Sequence, residues 1–95
     1  MPLLTDDQLT EALKNLTGWR QEDERIKKSY RFASFPDAIA FINAVALHAE
    51  EANHHPEIHN VYNRVTLHLT THDAGGLTEK DLALAKQINA LPLSD

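Results

Sequence analysis

Histidine is unusually frequent in this sequence, with six in 95 residues. His54 and His55 directly precede Pro56, where a helix is expected to end, and His72 precedes residues 73–76, a loop with two glycines. Imidazole changes its charge near neutral pH and therefore suits proton transfer. Loops at the ends of regular elements often carry function. These three histidines are therefore the first candidates for a functional site.

Glu50 is the carboxylate nearest to these histidines on the second predicted helix. It lies four residues before His54, a spacing at which helical side chains meet. Its carboxylate could accept a hydrogen bond from one ring nitrogen, fix the tautomer and favour the charged ring. An ion pair that only caps the helix would use the same two residues, so both interpretations stay open.

The other three histidines are predicted to lie on the surface. His48 falls inside the second predicted helix, and His59 and His68 fall on predicted strands. We expect each of them to be half-exposed and without a catalytic role.

The sequence gives little support to metal or nucleophilic chemistry. It has no cysteine and no His-Glu-x-x-His motif. The adjacent His54 and His55 would point in different directions from a regular backbone. A set of Glu50, His54 and His72 could bind zinc, but its spacing does not require it, and we predict no metal. The serines lack the context of a nucleophile elbow.

Composition narrows the class of protein. The net charge of −5 disfavours nucleic-acid binding, and the one short basic segment, residues 25–31, follows an acidic run. No stretch of about 18 apolar residues predicts a membrane span, and the N-terminus does not resemble a signal peptide. We expect a cytoplasmic protein of one domain, residues 1–95, that self-associates because so small a chain has a limited core.

Three helices can be predicted from their starts. Thr5, with Gln8 three residues later, forms a capping box, and Ser34 and Thr78 are the other predicted N-caps. Gly18 is expected to stop the first helix, and the second is expected to end near His54. The predicted apolar faces are Leu9, Leu13 and Leu16; Phe35, Ile39, Ile42, Val45, Ala46 and Ala49; and Leu84, Ala85, Ile88 and Leu91.

Two strand hairpins are predicted between the helices, one from residues 19–22 and 25–32, the other from residues 57–62 and 64–70. In the last segment apolar and polar residues alternate, which is typical of a half-buried strand. The order α-β-β-α-β-β-α favours an α+β fold, in which helices cover one face of a four-stranded antiparallel sheet.

These residues together resemble the pterin-4a-carbinolamine dehydratase family. The His-His-Pro triplet alone would carry no weight, but the ordered set with its gaps is specific. The agreement extends to Gly18-Trp19 before the first strand and to residues 70–78. The matching positions are Glu50, His54, His55, Pro56, Tyr62, His72 and Asp81.

The resemblance implies a cofactor-free and metal-free enzyme. Family members remove water from 4a-hydroxy-tetrahydropterin to give quinonoid dihydropterin, which recycles the cofactor of aromatic amino acid hydroxylases. His54 and His72 would be the acid–base pair, in an order that the sequence does not settle, and His55 would position the pterin. Homodimers or homotetramers are implied as well. The implied substrate contacts are Glu50, Asn53, Thr70, Thr71 and Asp73.

Four matching positions have structural interpretations. Asp81 is expected mainly to complete the cap at Thr78, Pro56 to end the helix and Tyr62 to pack. Trp19 is a candidate substrate contact, with core packing as an equal alternative. Two functional alternatives also remain: a dimerisation cofactor for a transcription factor, and a pterin-binding protein without dehydratase turnover.

Overall fold

The structure, a computed structural model, describes residues 2–93. Met1, Ser94 and Asp95, the ends of the predicted 1–95 domain, lie outside the described residues. The predicted order α-β-β-α-β-β-α is confirmed, with a single 3₁₀ turn at His72–Ala74 before the last helix. The elements are α1 (Asp6–Leu13), β1 (Arg20–Glu22), β2 (Arg25–Arg31), α2 (Phe35–Ala52), β3 (Glu57–Val61), β4 (Arg64–Leu69) and α3 (Glu79–Asn89).

The four strands form one antiparallel sheet in the order β1-β2-β4-β3. Val65, Leu67 and Leu69 of β4 are fully buried in a core that they share with residues of α2 and α3. The intervening Thr66 and His68 lie on the opposite face, as the period of two requires. The predicted α+β fold, with one sheet face covered by helices, is confirmed.

The predicted helix starts are confirmed at Thr5, Ser34 and Thr78. The predicted stop of the first helix at Gly18 is wrong, because α1 ends at Leu13. The chain continues in tight turns, in which the amide of Leu16 donates to the carbonyl of Leu13. Gly18 has its positive φ of 87° in the turn that leads into β1, so it marks the start of the sheet rather than the end of the helix.

The buried face of α2 differs from the predicted one. Ala38, Phe41, Val45 and Ala49 face the core, whereas Phe35, predicted to be buried, is 45% exposed. This helix is apolar around most of its circumference, so spacing alone could not identify the core side. None of the helices within residues 2–93 is long and apolar enough to cross a membrane.

Candidate active site

A cavity of about 260 Å³ lies where the end of α2, the end of β4 and the start of α3 meet. It brings together seven of the residues predicted for the site, although the two contributing segments are well separated in the sequence. Its lining is predominantly polar, which suits a compact ligand rich in hydrogen-bonding groups. The lining residues are Asn53, His54, His55, Thr70, Thr71, His72, Asp73 and Lys80.

The end of α2 sets the direction of the paired histidines. Asn53 adopts the left-handed conformation, with φ 50° and ψ 42°. Its backbone amide donates to the carbonyl of Glu50, and the backbone amide of His54 donates to the carbonyl of Ala49. These two bonds form a Schellman motif, which satisfies the last carbonyls of the helix and turns the chain away from its axis. The turn directs His54 inward and leaves His55 at the surface.

His54 is paired with a buried carboxylate from α3. Its Nε2 lies 2.6 Å from Oδ1 of Asp81, and Asp81 is completely buried. An ionised carboxylate can only accept, so Nε2 carries the proton and Nδ1 is left as the basic nitrogen of the neutral ring. A carboxylate in this position also stabilises the ring when it becomes protonated.

Two buried threonines, Thr71 and Thr78, complete the environment of Asp81. Oδ2 of Asp81 accepts from the amide of Thr78 at 2.9 Å and from the hydroxyl of Thr71 at 2.8 Å. The hydroxyl of Thr71 has one proton, which it donates to Asp81. In the 2.8 Å contact between the two threonines, the hydroxyl of Thr78 must therefore donate to the hydroxyl oxygen of Thr71. Both oxygens of the carboxylate are therefore held in place.

The predicted pairing of Glu50 with His54 is wrong. Glu50 Oε1 lies 2.9 Å from Nε2 of His55, and both side chains are exposed. The Schellman turn causes this exchange, since it removes His54 from the helical face that carries Glu50. Glu50 therefore reaches the cavity only through His55.

The capping role predicted for Asp81 is confirmed, since it forms the capping box with Thr78. Its second role, holding His54, was not predicted. Asp81 and His54 are 27 residues apart, and only the packing of α3 beside α2 brings them together. An acidic residue in a capping box gives no sequence signal for such a contact.

His72 is exposed and begins the 3₁₀ turn that follows β4. The backbone of Thr71 pairs with that of Gly76, and Gly75 adopts the left-handed conformation with φ 78°. The glycine-containing loop is thus closed upon itself, which fixes where His72 leaves the sheet. This histidine lines the same cavity as His54 and His55.

Thr70 and Thr71, predicted as substrate contacts, both donate their hydroxyl protons to groups within the protein. The hydroxyl of Thr70 donates to the carbonyl of Glu24 at 2.7 Å, and that of Thr71 is committed to Asp81. Lys80, one of the first residues of α3, also lines the cavity and was not predicted. Its position two residues after the cap at Thr78 gave no sign that it would reach the site.

Two of the residues singled out from the sequence lie elsewhere. Trp19 is buried in the core, and its indole nitrogen donates to Oδ1 of Asn89 at 2.9 Å. Tyr62, predicted to pack, is instead 65% exposed at the hairpin turn between β3 and β4, where its φ is 52°. Pro56 joins the paired histidines to β3, and α2 ends at Ala52, close to the predicted end near His54.

A second, smaller cavity of about 150 Å³ adjoins the first on the uncovered face of the sheet and shares His55, Thr70 and His72 with it. His68 lines this second cavity, and its side chain is only 10% exposed. The prediction that His68 is half-exposed is therefore wrong. Burial, and then the nearby charge of Arg25, lower the pKa of His68 below its usual value.

Potential metal ligands converge at a place that was not predicted. Within residues 2–93, the set of three metal-capable side chains is Glu57, His59 and His68, whose ligand atoms all lie within 4.8 Å of one another. The set considered from the sequence, Glu50, His54 and His72, does not form such a group among these residues.

Comparison with known proteins finds relatives that match nearly the whole chain. The family model described as pterin 4 alpha carbinolamine dehydratase matches residues 2–91. A protein from Chloroflexus aurantiacus is 52% identical over 91 residues, which cover 96% of this chain and 98% of that protein. One from Roseiflexus sp. is 51% identical over 88 residues, covering 93% and 95%. The names of both assign them provisionally as pterin-4-alpha-carbinolamine dehydratases.

Two solved structures share the fold. A transcriptional coactivator/pterin dehydratase from Brucella melitensis is 43% identical, covers 94% of this chain and 97% of its own, and has a TM-score of 0.90. A pterin dehydratase-like protein, identified as a RuBisCO assembly factor in the alpha-carboxysome, is 29% identical. It covers 77% of this chain and 87% of its own, with a TM-score of 0.64.

Proposed function

This chain belongs to the pterin 4 alpha carbinolamine dehydratase family, and we propose that it dehydrates a 4a-hydroxy-tetrahydropterin by histidine acid–base catalysis. The observation that carries the proposal is the buried pair of His54 and Asp81, in which His54 lines the same cavity as His55 and His72. A ring with a fixed tautomer and its own carboxylate is equipped to accept a proton.

The reaction needs two proton transfers. The bond from C4a to the hydroxyl oxygen breaks, and the oxygen leaves as water after receiving a proton. N5 of the pterin loses its proton, and its electron pair forms the double bond to C4a. The products are quinonoid dihydropterin and water. Each step needs a group that can donate or accept a proton near neutral pH, and no metal or further cofactor enters the proposal.

We assign the base to His54. Nε2 is engaged with Asp81, so Nδ1 is the nitrogen available to take the proton from N5. The positive charge that forms on the ring is then balanced by the buried carboxylate. Because the two threonines hold that carboxylate, little reorganisation is needed when the charge forms.

We assign the acid to His72, which stands on the exposed side of the cavity. Contact with solvent lets it regain its proton after it has protonated the leaving hydroxyl. His55, supported by Glu50, would position the pterin and stabilise its polar edge.

Substrate binding is assigned to the remaining polar groups of the cavity. Asn53 and Asp73 offer amide and carboxylate groups to the pterin ring. Lys80 adds a cation at the same edge. Thr70 and Thr71 would line the site, with their hydroxyl protons already used within the protein.

A non-enzymatic role is the alternative proposal. The Brucella protein is named as both a transcriptional coactivator and a pterin dehydratase, and a second relative is described as an assembly factor. The apolar side chains of Leu47, Val61 and Tyr62 are well exposed and could serve protein contacts. We favour the dehydratase, because an interaction module has no need of the buried His54–Asp81 pair.

A direct assay tests the proposal. A pterin-dependent aromatic amino acid hydroxylase generates the 4a-hydroxypterin in situ, and its loss is followed by ultraviolet absorbance with and without this protein. We expect the protein to accelerate the loss catalytically at substoichiometric amounts. A rate equal to that of the uncatalysed reaction would refute the dehydratase function and favour the alternative.

A further inference from the structure

The uncovered face of the sheet carries a group of ligands that the proposed reaction does not use. The geometry points to a binding site for a divalent transition-metal ion of the zinc class, held by Glu57, His59 and His68. Imidazole and carboxylate are ligands that zinc accepts, and three protein ligands with one open position form a recognised coordination pattern.

The sheet register brings these three residues together. Glu57 and His59 are two residues apart on β3, so they project from the same face. His68 on β4 lies directly opposite Glu57. Neighbouring positions of an antiparallel pair keep their side chains within about 5.5 Å at Cβ. The three ligands therefore belong to two hydrogen-bonded strands and not to a flexible loop.

The distances are close to those that a bound ion needs. Oε1 of Glu57 lies 2.6 Å from Nε2 of His59 and 4.0 Å from Nδ1 of His68. Tetrahedral zinc with bonds of about 2.0–2.1 Å requires ligand atoms about 3.3 Å apart. The observed separations lie on either side of this value, so small side-chain rotations would bring the ligands to the ion.

An unsatisfied nitrogen provides independent support. Nδ1 of His68 is buried, since the side chain is only 10% exposed. It has no hydrogen-bond partner among residues 2–93. Buried polar atoms normally have a partner, so one without a partner calls for an explanation. This nitrogen faces Glu57, and a bound ion would satisfy it.

The surrounding charges leave the ligand atoms available. Arg25 lies 3.6 Å from Oε2 of Glu57, the oxygen that is not engaged with His59. Lys27 is paired with Glu22 at 2.7 Å. A second carboxylate oxygen, Oε1 of Glu22, lies 4.0 Å from Nε2 of His68, on the opposite side of the ring from Nδ1. A carboxylate there can orient a ligating histidine, as outer partners do at metal sites.

Metal titration tests the site without using turnover. The full chain is freed of metal with a chelator and titrated with Co²⁺, whose visible absorption reports coordination, and then with Zn²⁺ in competition. We expect one equivalent to bind. Because loss of an outer partner alone costs about 10–100-fold in affinity, His59→Gln and Glu57→Gln should each weaken binding by at least about tenfold. Both residues are exposed, so these variants should fold.

Two matched histidine variants identify the location. His48→Gln removes a histidine of α2 that lies beside Glu51. His72→Gln removes a histidine that lines both cavities but is not one of the three proposed ligands. Both should bind the ion as the unmodified chain does. The inference is overturned if no equivalent binds, if His59→Gln binds unchanged, or if His72→Gln loses binding as His59→Gln does. Since the readout is metal affinity, these outcomes do not depend on whether the dehydratase proposal holds.

Discussion

His54 and His55 are neighbours in the sequence, yet their environments differ in ways that divide their roles. His54 is buried against a buried carboxylate, whereas His55 is exposed and paired with an exposed one. A buried, hydrogen-bonded pair is weakly screened by solvent, but an exposed pair is strongly screened. The contrast explains why we assign proton transfer to His54 and positioning to His55.

The sequence singled out these histidines because their order and spacing are visible along the chain. It could not reveal which carboxylate serves which ring. Glu50 has the helical spacing for a contact with His54. The left-handed conformation of Asn53 turns the chain, so that Glu50 contacts His55 instead. The partner of His54 came from α3, and contacts between distant elements have no local signal.

The substitution Asp81→Asn should separate the two roles of the carboxylate, which caps α3 and stabilises protonated His54. Asn keeps the shape but not the charge that stabilises protonated His54. We expect turnover to fall by about 10²–10⁴-fold, as for loss of an acid–base group, and thermal stability to fall with the weakened cap. Thr5→Ala is the control, since it removes the cap of α1 far from the cavity. If Asp81→Asn lost only as much turnover as Thr5→Ala, the positioning role would be disproved.

The lowered pKa of His68 predicts a pH-dependent stability. Above the unfolded-state pKa of about 6.5 the ring is neutral in both states. As the pH falls through this value, the unfolded chain takes up a proton that the folded chain does not, so folding is destabilised until the folded pKa is passed. The groups around the ring are Glu22, Arg25, Glu57 and His59.

Replacing His68 by Gln removes this titration. The fall in melting temperature between pH 7.5 and 5.5 should be smaller in His68→Gln than in the unmodified chain. His48→Gln, a change on α2, should leave the slope as it was. An unchanged slope in His68→Gln would contradict the account.

The helices and strands followed their sequence signals where a cap or an alternation defined them. Thr5, Ser34 and Thr78 begin helices as predicted, and β4 alternates as predicted. The apolar face of α2 was predicted only in part: Val45 and Ala49 are buried as predicted, but Phe35 is exposed. Residues on the other side of this helix are apolar as well. The spacing of apolar residues identifies a helix. When a helix is apolar on two sides, its buried face can be identified only once the elements that pack against it are known.

The left-handed end of α2 should be sensitive to the side chain at Asn53. Asn and Gly tolerate this conformation better than residues with an ordinary Cβ. We expect Asn53→Ala to lower the free energy of unfolding by about 1 kcal/mol and Asn53→Gly to change it little. Chemical denaturation measures both. Equal stability of the two variants would show that the left-handed turn does not limit stability.

The whole molecule presents apolar surface that its own core does not cover. Leu47 of α2 is 70% exposed, and Val61 and Tyr62 are exposed at the β3–β4 turn. β3 is also an edge strand, with one row of unpaired backbone groups. A second copy of the chain could cover either surface, which agrees with the self-association expected for so small a chain.

Sedimentation velocity should therefore show at least a dimer at micromolar concentration. Leu47→Glu and Val61→Lys place charges on the two apolar surfaces, and at least one of them should shift the chain toward monomers. Glu11→Lys, on the exposed face of α1, is the control and should leave the assembly unchanged. A monomer in the unmodified chain would contradict the expected assembly.

The most direct test of the central proposal compares single-histidine variants in the dehydration assay. His54→Gln and His72→Gln should each lower turnover by about 10²–10⁴-fold, while circular dichroism shows the fold retained. His48→Gln, which removes a histidine that lines neither cavity, should keep full turnover. If His54→Gln and His72→Gln also kept full turnover, acid–base catalysis by this histidine pair would be contradicted.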